Sequence, residues 1–255
     1  MKIATWNVNS LNVRLGHVRE WLGSASPDVL VLQEIKQVTE AFDTGAFADD
    51  GYQTIASGQK TYNGVAVACR GTPTDAVTDF PGFDDPQRRI LATTIDGVRV
   101  INLYVPNGQS VDSEKYEYKL GWLAALHEFL TAELAMHEHL VVLGDFNIAP
   151  EDRDVHNPDQ WGDGILCSPA EREALRGIFS LGLVDVFRQF EQKEKTFSWW
   201  DYRAAGFRRN AGLRIDLILA STALAEKCTA CYIDREPRTW ERPSDHTPVV
   251  AEFDL

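Results

Sequence analysis

The octapeptide Leu140-Val141-Val142-Leu143-Gly144-Asp145-Phe146-Asn147 is an apolar run that stops at a carboxylate and a carboxamide two positions apart. It reads as a buried strand that ends in a site. Residues i and i+2 of an extended chain share a face, so Asp145 and Asn147 are expected to project together, while Gly144 admits the close approach of another backbone or a ligand. Taken alone, the stretch reads equally as a strand followed by an Asx-type turn. Four further segments carry the same design. Lys2 to Trp6 leads to Asn7 and Asn9, Val29 to Leu32 leads to Gln33 and Glu34, Leu213-Arg214-Ile215 leads into Asp216, and Ser244-Asp245-His246 precedes the apolar segment Pro248 to Phe253. Polar ends on several apolar strands belong at the rim of a sheet, where ligands bind.

The elements between these segments alternate. Leu11, Leu15, Val18 and Leu22 recur at helical spacing, and Pro27-Asp28 breaks the chain before Val29, giving a strand, helix, strand unit whose strands pair in parallel. Asp96-Gly97 between Ile90–Ile95 and Val98–Tyr104 is a hairpin signal. Tyr116, Leu120, Leu123, Leu130 and Leu134 mark an outer helix from Ser113 to about His137. A long polar loop, Ile148 to Ser168, is expected to wall the site, and Pro169 opens another helix that closes near Gly182. A single run, Leu213 to Ala220, is expected to be one strand. The chain divides near residues 135 to 140 into halves that each open with a strand ending in a polar pair. With no linker or low-complexity tract, residues 1–255 are read as a single α/β domain, two packed mixed sheets with helices outside.

Composition narrows the compartment and the partner. No run reaches the roughly 18 to 20 apolar residues of a membrane span, and the N-terminus enters a strand without the layout of a signal peptide, so a cytoplasmic protein is expected. Cys228-Thr-Ala-Cys231 has no second pair at zinc spacing and lies in an expected strand, where residues three apart face opposite sides; all four cysteines are read as reduced packing residues. A net charge of -13 argues against a non-specific nucleic-acid binder. Trp199 to Ile215 is the exception. It carries four arginines and one aspartate among Trp199, Trp200, Tyr202 and Phe207, a mixture suited to phosphates and bases.

Glu34 with Asn7 and Asp245 offers hard oxygen ligands without competing cysteine, which favours Mg²⁺ or Mn²⁺. Magnesium keeps waters and engages substrate phosphate, so a sparse carboxylate set suits phosphoester chemistry. His246 could donate to a phosphate oxygen, with Asp216 fixing its tautomer. Asp145 is then free to orient or deprotonate water, with Asn147 beside it and Tyr104 near the phosphate.

The segments TWNVNSL, VLVLQEIK, YNGVA, NLYVPNG, LGDFNIAP, GLRIDLIL and PSDHTPV resemble, in order, the motif series of the exonuclease III type of apurinic/apyrimidinic (AP) endonuclease, within the endonuclease/exonuclease/phosphatase superfamily. The resemblance implies a four-layer α/β sandwich and divalent-metal phosphodiester hydrolysis in base-excision repair. It implies metal-site roles for Asn7, Glu34 and Asp245, phosphate contacts for Tyr104 and Asn107, and water handling by Asp145 and Asn147, completed by Asp216 and His246. By the same resemblance, Trp199, Leu213 and Ile215 line the pocket for a flipped abasic sugar. Double-stranded DNA with abasic sites or 3′ ends is the implied partner, and a monomer is expected. Two departures bear on specificity. A bulky Trp199 would narrow that pocket, and Asp152, Asp154, Asp159 and Asp163 in the bordering loop would repel backbone phosphates; both favour 3′-end processing over abasic incision. Two other readings are compatible with the sequence, a phosphatase of a small or lipid phosphate and a catalytically silent DNA-binding homologue.

Overall fold

In the computed structural model, which describes residues 1–255, the N-terminal unit forms as expected. β1 (Lys2–Asn7) and β2 (Val29–Gln33) pair in parallel across helix α1 (Leu11–Ala25). β3 (Gln53–Ser57) and β4 (Val65–Cys69) extend that sheet. A second sheet starts with β5 (Thr74–Val77), β6 (Ile90–Ile95) and β7 (Val98–Tyr104). Asp96 and Gly97, at φ 49° and 83°, form the β6–β7 turn with the positive angles a two-residue hairpin needs. Helix α2 (Glu114–Met136) returns the chain so that β8 (Leu140–Asp145) lies parallel to β7. After the short α3 (Pro158–Trp161), α4 (Pro169–Ser180) leads to β9 (Leu183–Asp185). A two-stranded ribbon, β10 (Trp199–Trp200) with β11 (Gly212–Leu213), precedes β12 (Asp216–Ser221), β13 (Cys228–Ile233) and β14 (Val249–Phe253). The strand orders are β13-β14-β1-β2-β4-β3 and β5-β6-β7-β8-β12-β9.

The unbroken apolar run of β8 is explained by burial on both faces. Val141 and Leu143 join Ile3, Val29, Val31, Val65 and Val67 of the first sheet in the core between the sheets. Leu140 and Val142 face the other way, onto Trp122, Leu126 and Leu130 of α2 and Leu175 and Ile178 of α4. Leu30 and Leu32 of the first sheet likewise pack outward on Val18, Trp21 and Leu22 of α1. These four layers are the sandwich expected from the sequence. On α2, Leu120 and Leu134 are only half-buried, while Trp122, Leu126 and Phe129 carry more of the packing face.

Three details differ from expectation. The sheets do not divide at residues 135–140, because β5 to β7 precede that point yet pair with β8, and β13 and β14 return to the first sheet. The strand expected from Leu213 to Ala220 is interrupted: Ile215 and Asp216 give their N–H groups to Ser198 Oγ, each at 3.1 Å, and Arg214 gives its own to Asp154 O. A bulge between Cys228 and Ala230 brings both Cys228 and Cys231 against the inter-sheet core, since the extra residue resets the alternation of faces. All four thiols are free.

Candidate active site

The strand ends meet at one edge. Asn7 pairs with Gln33 across β1 and β2, Tyr104 with Asp145 across β7 and β8, and Asp145 with Asp216 across β8 and β12. Gly144 permits this convergence: a Cβ there would stand 2.0 Å from Leu103 O, so the close approach is that of the neighbouring strand's backbone. Asp145 and Asn147 do face the same pocket, although by a turn. Asn147 has φ 50°, and its N–H bonds Asp145 Oδ1 at 2.9 Å, the Asx geometry that aims both side chains inward.

His246 lies between two carboxylates. Its Nδ1 is 2.9 Å from Asp216 Oδ2 and its Nε2 is 3.6 Å from Asp145 Oδ2, beyond hydrogen-bond range, and the residue lines the pocket. A backbone bridge to Trp199 and the bond from Trp6 Nε1 to His246 O hold it. Burial alone would lower the imidazole pKa, but Asp216 and Asp145 outweigh it and raise it to about 10; the ring is an imidazolium at neutral pH. Burial pushes Asp145 the other way, up to about 7, against the pull of His246 and the bond from Asn7. Tyr104 is raised well above its usual value by burial and by the Glu34 and Asp145 carboxylates, so it remains a donor.

Asn7 joins the site from behind. Its Nδ2 donates to Glu34 Oε1 at 3.0 Å and to Asp145 Oδ2 at 2.9 Å, and its Oδ1 accepts the Asn9 N–H. Its amide nitrogen thus orients two carboxylates, while its oxygen accepts a single N–H. Glu34 Oε2 and Asn9 Oδ1 converge on the Lys36 ammonium, at 3.0 and 2.6 Å. Asp245 accepts from Asn9 Nδ2 and Trp199 Nε1, both at 3.0 Å. Burial would raise its pKa, but His246 and these two donors together hold it below the usual value. Glu34, Asn9 and Asp245 carry hard oxygen donors of the kind a divalent ion takes, and the Lys36 ammonium lies against the first two. The tighter trio of Asp145, Asp216 and His246 brings ligand atoms within 4.8 Å of one another; a metal held there would require the histidine to give up its proton.

The catalytic pocket is small, about 180 Å³, and is lined by Glu34, Tyr104, Asn107, Asp145, Asn147, Leu166, Trp199, Ile215, Asp245 and His246. Leu213 does not line it; it lies buried under the wall with Val155, Leu166 and Ile215. Asn107 Nδ2 bonds Asn147 Oδ1, and Asn147 Nδ2 bonds Val105 O, each at 3.0 Å. Leu166, Asn9 and Lys36 were absent from the sequence-derived set. Asn9 stood in the polar end of the first strand, whereas nothing marks Leu166, whose φ of 70° is uncommon for a leucine. Beyond Asn107 opens a cleft of about 980 Å³ whose lining includes Tyr62, Arg89, Lys115 and Arg203 and no carboxylate.

The acidic loop is partly neutralised. Asp154 is fully buried against Arg188 and Arg214, and Asp152 pairs with Arg172 at 2.8 Å, so only Asp159 and Asp163 remain as the free acids expected there. Arg214 also pairs with Asp185, which withdraws one arginine from the basic segment.

A family model described as Endonuclease/Exonuclease/phosphatase family matches residues 4–246, which includes every site residue named above. The chain belongs to this family. Among curated members, it is 36% identical to exodeoxyribonuclease III of Haemophilus influenzae over 99% of this chain and 100% of that one. Two solved family structures superpose on all of this chain and all of their own: the 3′ phosphatase NExo from Neisseria, bound to a product DNA hairpin, with TM-score 0.98 and 50% identity, and an AP endonuclease from Archaeoglobus fulgidus, with TM-score 0.96 and 42% identity. The α/β sandwich is thus the family fold, and family members are metal-dependent.

Proposed function

We propose that this chain is a Mg²⁺-dependent DNA repair phosphodiesterase of exonuclease III type, chiefly a 3′-to-5′ exonuclease and 3′-phosphatase, with internal AP incision as the lesser activity. It would act as a cytoplasmic monomer, a single domain spanning 1–255, on double-stranded DNA. The observation that carries the reading is His246 held as an imidazolium between Asp216 and Asp145 at the wall of a small pocket that Glu34, Tyr104, Asn107 and Asn147 also line. The carboxylate-free cleft next to it gives DNA a path on an otherwise acidic protein, and the relatives named for 3′ ends and AP sites support the same substrate.

Glu34, with Asn9 and Asp245, would hold the divalent ion, which supplies neutralisation of charge on the phosphate. The chain's own residues do the rest. The His246 Nε2–H and the Tyr104 hydroxyl donate to non-bridging phosphate oxygens. Asp145 orients the attacking water and accepts its proton as the bond from phosphorus to the 3′ oxygen breaks; that oxygen is protonated from solvent. Asn7 fixes Asp145 and Glu34 relative to each other. Asn147 fixes Asn107, which faces the phosphate from the opposite wall.

A duplex with a recessed 3′-phosphate and a panel of inositol phosphates, assayed with one preparation, provide the test. Release of phosphate from the duplex, lost in Asp145→Asn and His246→Ala by a factor of roughly 10² or more, is the expected result. Hydrolysis confined to the inositol compounds would point to the small-phosphate alternative. DNA binding without turnover would leave the silent homologue.

A further inference from the structure

Several connections wall the pocket, and one buried ion pair touches two of them, the loop after β7 and both ends of the long loop after β8. Lys119, on α2, and Glu171, in the first turn of α4, have fully buried side chains whose charged ends are in direct contact. Lys119 Nζ also donates to Asn147 O at 2.7 Å and Asn107 O at 3.2 Å. Glu171 in turn accepts the Leu166 N–H at 3.2 Å, the Ser168 N–H at 3.0 Å and the Ser168 hydroxyl at 2.7 Å. The ammonium thus reaches Asn107 and Asn147 directly and Leu166 through Glu171, all three of them pocket-lining residues. We propose that Lys119 and Glu171 are positioning residues for hydrolysis, a buried hub that sets the relative placement of three wall segments, at Asn107, Asn147 and Leu166.

Stability does not by itself account for the pair. The capping box of α4 explains the Ser168 contacts of Glu171, but it requires nothing from Lys119. A buried ion pair is commonly no more stabilising than apolar residues of the same volume, and the neighbours of Lys119 on its helix face, Tyr116, Leu123 and Leu126, are apolar or aromatic. What an ammonium supplies that a methionine cannot is directed bonds to two carbonyls, each belonging to a residue whose side chain faces the reacting phosphate.

The inference rests on the proposed hydrolysis for its kinetic arm, so the test adds an arm that needs no turnover. Lys119→Met alone strands the Glu171 charge in the interior and should unfold more readily. The double variant Lys119→Met with Glu171→Gln removes both charges and keeps a glutamine that can complete the capping box. In the double variant the melting temperature is expected to return to near the wild-type value. Even so, kcat on the 3′-phosphate duplex should stay down on the order of 10²-fold, the cost of small misplacements in a site, with KM changed only a few-fold. Amide exchange followed by mass spectrometry should accelerate in 105–109, 145–149 and 164–168 and nowhere else. Wild-type exchange in those segments, or recovery of kcat together with melting temperature, would reduce the pair to a structural role and overturn the proposal. If the wild-type protein turns over no DNA substrate, the functional reading fails, and the exchange pattern still decides this one.

Discussion

Protonation of His246 sets the pH range in which this site can work. The proposed mechanism needs Asp145 as carboxylate and His246 as imidazolium, so kcat is expected to rise with pH toward about 7 and to fall as pH passes about 10, the two limbs belonging to the coupled pair. Asp216 is the strongest of the partners that raise the imidazolium pKa; Asp216→Asn should therefore shift the alkaline limb to lower pH, and a pH–kcat profile of both proteins reads the shift. An unmoved limb would separate it from His246. At the metal, Glu34→Ala should raise the Mg²⁺ concentration for half-maximal activity by roughly tenfold or more, as loss of a metal-site partner does, checked by titrating Mg²⁺ into the assay and by calorimetry. Every catalytic side chain proposed from the sequence is a polar residue at the end of an apolar segment, a pattern that can be read one residue at a time. Lys119, Glu171 and Leu166 could not be read that way. A lysine in a helical run is ordinarily a solvated one, and its burial depends on the loops after β7 and β8, which meet only in the folded chain.

Among the elements, the long loop after β8 shows what local reading misses. Its acids were read as a barrier to DNA, yet Asp154 is an anchor: Arg214, itself fully buried, binds Asp154 and Asp185, and Arg188 joins Asp154 from the side. This cluster ties the loop to the ribbon that carries Trp199. Arg214→Met would leave Asp154 facing only Arg188 and Asp185 without its buried partner, a loss on the scale of about 3–5 kcal/mol, measured by urea denaturation; a stability change within about 0.5 kcal/mol, the range of ordinary surface substitutions, would contradict it. β1, β2, β6, β7, β8 and β14, with α1, α2, the Asp96-Gly97 turn and the start of α4 at Pro169, were legible because periodicity and turn chemistry are local signals. The interruption of β12 was not, since its cause is Ser198, which captures the N–H groups of Ile215 and Asp216 from seventeen and eighteen residues upstream.

At the scale of the whole molecule, 38 acidic residues against 25 basic ones are reconciled with a DNA substrate by where the acids are absent, the large cleft that opens beside Asn107. Sheet pairing was the least legible level. Strands 74–104 sit in a different sheet from the N-terminal unit that precedes them, a choice made by the inter-sheet core and invisible in any local pattern. On the proposed reading, specificity turns on how far the pocket admits a flipped sugar. Trp199, pinned to Asp245 by its indole N–H, and Leu166 both line it, and rotating an internal abasic sugar out of the duplex asks more of that space than a frayed 3′ end does. The most direct measurement is kcat/KM on matched duplexes bearing either a recessed 3′-phosphate or an internal abasic analogue, at one fixed salt concentration because phosphate contacts are screened. The account predicts a ratio favouring the 3′-phosphate, moving toward incision in Trp199→Ala. A wild-type ratio strongly favouring the abasic duplex would contradict it.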